Sequence, residues 1–125
     1  MTQAALQSRI EAERRLAQAI CGALDRELAE MGFPRGEVAV AGPGTAVYRL
    51  ERDPSSGQDS LVGIWRNAEG GQCGQLLFHA DGSFFAEYDV IRAHPCKPQW
   101  FVEAVTAWGR GATIKSEPRL LPMVG

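Results

Sequence analysis

Apolar residues recur at steps of three and four from residue 4 to about residue 31. Leu6, Ile10, Ala17, Ile20, Leu24, Leu28 and Met31 fall mostly on one side of a helix. Glu11, Glu13, Arg14, Arg15, Asp25, Arg26, Glu27 and Glu30 fill the other sides. The end is marked by Gly32, which can turn left-handed, by Phe33, which can fold back, and by Pro34, which cannot continue the helix. Gly22 in the interior costs about 1 kcal/mol against alanine, and its bare backbone would let a neighbouring element come close.

Beyond Pro34 the period changes to two. Glu37 to Ala41 and Thr45 to Arg52 are short strand-like runs joined by the turn Gly42-Pro43-Gly44, and Asp53 to Asp59 is a polar loop. Ser60 to Arg66 is the next strand, and Asn67 to Gly71 a glycine-bearing turn. From Gly74 to Val90 two apolar runs flank Asp81-Gly82. That dipeptide predicts a two-residue type I′ hairpin loop, because both central residues need positive φ. Ala93 to Pro98 breaks the strand. Pro98 suits the first position of a helix, and Phe101, Ala104, Val105 and Trp108 would share one side of a second helix ending at Gly109. Thr113 to Glu117 is a candidate edge strand. The pattern predicts a single α+β domain over residues 1–125, a two-layer sandwich. Its antiparallel five- to six-stranded meander is covered on one face by the long N-terminal helix and a second C-terminal helix.

A two-residue loop at 81–82 pairs Phe78 with Phe85 and His79 with Phe84. It assigns Cys73, Gln75, Leu77, His79, Phe84, Ala86, Tyr88 and Val90 to the covered face. Leu76, Phe78, Ala80, Ser83, Phe85, Glu87, Asp89 and Ile91 go to the open one, and a one-residue slip would exchange the two sets. Phe78 and Phe85, with Trp65 nearby, then form an apolar patch of the kind that marks binding sites. Glu87 and Asp89, about 7 Å apart on that face, would keep it soluble and select a basic partner or ligand. Paired carboxylates also do acid–base work, but without a third ligand or a base they define no mechanism, and ion pairs with Arg66 or Arg49 are the commoner role.

Other chemistry is sparse. Cys73 and His79 lie roughly 20 Å apart along an extended strand, whereas structural zinc sites use close pairs. His94 and Cys96 flank Pro95 without a third group to orient a nucleophile and base. No phosphate loop, GxSxG or HExxH motif is present. No metal or cofactor is expected. The net charge of -2 gives no attraction for a polyanion, so nucleic acid is not an expected partner. No run approaches the roughly 18 apolar residues of a membrane span, and the first residues lack the basic start and apolar core of a secretory signal. Three cysteines without a CxxC pair fit the reduced thiols of a cytoplasm.

The run Phe78 to Val90, followed by Pro98 to Gly109, resembles small bacterial proteins grouped only as a domain of unknown function. The resemblance covers about the C-terminal half and implies no activity. In size, acidity and helix-then-sheet layout the chain is also similar to small secretion chaperones and immunity proteins, which implies a protein partner. The expected function is a non-enzymatic interaction or accessory module, chaperone- or inhibitor-like. The alternatives are a small-ligand binder on the aromatic–carboxylate face and an enzyme built on Glu87 and Asp89. A cleft on that face would favour the alternatives, and a flat surface would favour the module.

Overall fold

The computed structural model describes residues 3–38 and 40–123. The periodic stripe forms helix α1, Gln3–Met31, which buries Ala17, Ile20, Cys21, Ala23, Leu24, Leu28 and Met31. It ends as its residues dictate. Gly32 has a φ of 101°, and the Phe33 N–H folds back to the Leu28 carbonyl at 3.3 Å with its ring buried. Gly22 differs from expectation: nothing lies within 4 Å of where its Cβ would be, so no element uses the gap.

The run expected as a first strand, Glu37 to Ala41, is not one. Glu37 and Val38 lie in a turn, Ala39 lies outside the described residues, and Pro43–Thr45 makes one turn of 3-10 helix. This segment is a strap tied down by side chains. The Trp65 indole donates to the Gly42 carbonyl at 3.1 Å and the Tyr48 hydroxyl to the Pro43 carbonyl at 2.7 Å. The Asp25 carboxylate accepts the Val40 N–H at 3.0 Å.

Six antiparallel strands follow: β1 Val47–Arg52, β2 Asp59–Arg66, β3 Gln72–Phe78, β4 Ser83–Ala93, β5 Trp100–Arg110 and β6 Thr113–Pro122. Each pairs with its neighbours in the chain, giving the order β1-β2-β3-β4-β5-β6. The protein is therefore α+β, with α1 packed across one side of the meander.

The expected second helix is strand β5, and a bulge explains the false period. Val102 pairs with Leu120 but Ala104 pairs with Arg119, so Glu103 is an extra residue. Alternation flips there. Val102 and Val105, three apart, both enter the core under α1, while Phe101 and Ala104, also three apart, fall on the opposite side. A bulged strand thus imitates helical spacing. The neighbouring strand distorts with it: Ile91 of β4 has a φ of 53°, a strained conformation for a β-branched residue.

On the α1 side the sheet is carpeted with aromatics. Trp65 and Tyr88 meet edge to face at 5.5 Å. A Cβ at Gly74 would lie 2.8 Å from the Trp65 ring and 3.0 Å from that of Tyr88, so the missing side chain is what lets these rings lie down on the sheet. Leu61, Leu76, Phe78, Phe84, Ala86, Val90 and Ala107 complete the core with the helix stripe. Among the described residues, no helix is long and apolar enough to cross a membrane.

Candidate functional site: the helix-free side of the sheet

The β3–β4 hairpin sets which side chains reach this side. Its loop has three residues, not two: the His79 N–H donates to the Ser83 carbonyl at 2.9 Å, and Gly82 takes a φ of 91°. Phe78 therefore pairs with Phe84, and Leu77 with Phe85. This is the one-residue slip that exchanges sides, and it acts on β3 alone. The expected assignment holds for β4 and is reversed for β3.

Of the five predicted residues, Phe85, Glu87 and Asp89 lie together on the helix-free side. Trp65 and Phe78 do not. Each is only 1% exposed and belongs to the core under α1. Leu77 and Trp108 take their places. The register builds one continuous row across the sheet: Arg49 opposite Val62, Val62 opposite Leu77, Leu77 opposite Phe85, Phe85 opposite Trp108, and Trp108 opposite Lys115. Four apolar residues on adjacent strands, capped by a cation at each end, span about 15 Å at the usual strand spacing. Trp108 was expected in the core of a second helix, and Leu77 on the covered face.

Carboxylates lie beside this row. Glu87 pairs with Thr106, and Asp89 with Ala104. Arg119 of β6 reaches Glu87 at 2.6 Å and Glu103 at 3.7 Å. The ion partners expected for Glu87 were Arg66 or Arg49. Arg119 holds it instead, because β6 runs past Pro118 and continues as a strand. Burial, then the like charges of Glu87 and Glu103, raise the Asp89 carboxyl above its ordinary range, against the pull of Arg119. One guanidinium among three carboxylates leaves this corner acidic.

A cleft of about 290 Å³ beside the row has Val62 and Leu77 in its lining, and other clefts lie away from it. One of about 370 Å³ is lined by Asp53, Ser56, Gln58, Ser60, His79 and Asp81. Inside it the Ser60 hydroxyl lies 3.2 Å from His79 Nδ1. Sequence spacing hides this pair, because only the β2–β3 register brings the strand ends together. Asp81 does not complete a triad. One of its oxygens accepts from the Ser83 N–H and hydroxyl, and the other pairs with Arg110.

The thiols and the second histidine are likewise engaged or apart. The Nδ1 of buried His94 accepts the backbone N–H groups of Cys96 and Lys97, both at 3.0 Å. Burial, reinforced by Asp25, pushes the Cys21 thiol up to about 11, which makes it a poor nucleophile. Among the described residues, no three His, Cys, Asp or Glu side chains gather as a metal site would require.

No family model, no curated protein and no solved structure matches this chain. The residues themselves therefore carry the functional reading.

Proposed function

We propose that the protein is a non-enzymatic interaction module that binds another protein through the helix-free side of its sheet. The observation that carries this reading is the row Leu77, Phe85 and Trp108, half-buried apolar residues on three adjacent strands with no helix over them, with buried Val62 continuing the row beneath the surface. Binding strips are apolar at the centre and charged at the rim, and Arg49, Lys115, Glu87 and Asp89 supply that rim here. The acidic corner beside Arg119 selects a partner that sets basic groups next to apolar ones. The test is affinity capture of a partner by the unaltered chain, by a Leu77→Ser/Phe85→Ser variant and by a Glu30→Lys control on the exposed part of α1. The strip variant should melt cooperatively and lose the partner, while the control keeps it. A folded strip variant with unchanged affinity overturns the proposal.

A second reading has one observation in its favour. A cleft of about 320 Å³ opens between α1 and β1–β3, walled by Ile10, Ala17, Tyr48, Leu61 and Phe78, with Glu13 and Arg14 among its lining. Its size and apolar walls suit a small apolar ligand.

A further inference from the structure

The two edges of the sheet are built differently. β6 carries Pro118 near its middle, a residue with no N–H to offer another strand. β1 carries no proline, and Val47, Arg49, Glu51 and Arg52 are exposed along it. Among the described residues β1 pairs with β2 alone, so its outer edge is unpaired. At the β1–β2 turn the Asp53 N–H donates to the Gln58 carbonyl at 2.8 Å. Backbone groups alternate along a strand, so Arg49 and Glu51 direct theirs to β2, and Tyr48, Leu50 and Arg52 direct theirs outward.

We propose that this edge pairs with β1 of a second copy of the chain, antiparallel, about a twofold axis at Leu50. An axis normal to the sheet keeps every side chain on its own side, so only residues of the same side can stand opposite one another. Centring on Arg49 sets arginine against arginine, and centring on Glu51 sets glutamate against glutamate. Centring on Leu50 sets Arg49 of each copy against Glu51 of the other, Leu50 against Leu50, and Tyr48 against Arg52. The outward groups of Tyr48, Leu50 and Arg52 then form the new ladder. Arg49 and Glu51 fall at the positions between hydrogen-bonded pairs, where opposing side chains come closest. Within one chain these two already form an exposed ion pair of 2.9 Å, which the assembly exchanges for pairs across the interface. The result is one continuous sheet with both α1 helices on one side and both apolar rows on the other.

Sedimentation velocity on the full chain from about 1 to 100 µM tests this. The unaltered chain is expected to form a dimer. Arg49→Glu alone, and Glu51→Arg alone, set like charges together twice and should each weaken association at least tenfold, by order of magnitude ~10–100-fold. The combined Arg49→Glu/Glu51→Arg chain restores both pairs and should recover the dimer. All of these side chains are more than half exposed, so each variant should melt like the parent. A monomer throughout the range, a dimer indifferent to the single reversals, or a folded double variant that stays monomeric overturns the inference.

Discussion

Trp65 and Trp108 stand on opposite sides of the sheet, and replacing each with alanine separates two environments. Trp65 is 1% exposed and its indole holds the strap at Gly42. Trp65→Ala should cost about 3–5 kcal/mol and leave that carbonyl without its donor. Trp108 lies half-buried at the end of the apolar row, and Trp108→Ala should cost about 1 kcal/mol in a urea titration. Equal losses would mean that the row is as enclosed as the core. Asp89 makes a prediction in pH. A carboxyl whose pKa is higher in the folded than in the unfolded chain holds its proton more tightly when native, so ionising it lowers stability. That penalty is absent below the unfolded value of about 3.9, grows as pH rises through the folded value, and is complete at neutrality. Asp89→Asn should therefore raise the melting temperature by roughly 1–3 °C near pH 7 and change it little near pH 3. A gain that is largest in acid would contradict the burial, and the repulsion from Glu87 and Glu103, that raise this carboxyl.

The helix and the strands differ in how far their residues announce them. α1 was legible nearly to its ends, because a helix is specified by local spacing and a local stop, here Gly32, Phe33 and Pro34. Its interior Gly22 has open space around it, so Gly22→Ala should stabilise the protein by about 0.5–1 kcal/mol, read as a shift in the denaturation midpoint. The strands β1, β2, β3 and β4 were legible as elements, and so was the start of β6, which runs on past the expected Glu117 to Pro122, but register was not. One residue in the loop at His79–Ser83 decides the side on which Phe78 and Leu77 fall, and nothing local distinguishes two loop residues from three at Asp81-Gly82. β5 was misread because Glu103 interrupts its alternation, an insertion defined only against β6. The candidate site inherits these errors. Phe85, Glu87 and Asp89 follow from β4 alone, whereas Leu77, Trp108 and Arg119 reach the same side through cross-strand pairing that no single strand contains.

At the scale of the whole molecule, a meander joins each strand to the one just before it, while α1 closes over elements far along the chain. It packs chiefly on β6 and β5. Glu27 accepts the Ser116 hydroxyl at 2.8 Å across 89 residues of sequence. This order matters while the chain is being made. The helix leaves the ribosome before any of the six strands, carrying Ile20, Leu24 and Leu28 with nothing to cover them. Hairpins can zip together one after another as they emerge, since each new strand finds its partner already waiting. The helix can settle only after the last strands arrive, so translation must carry a sticky amphipathic segment through the synthesis of all six strands. A pause before Thr113 would prolong that exposure, and the nascent chain would depend on holding factors for as long as its final strand is missing.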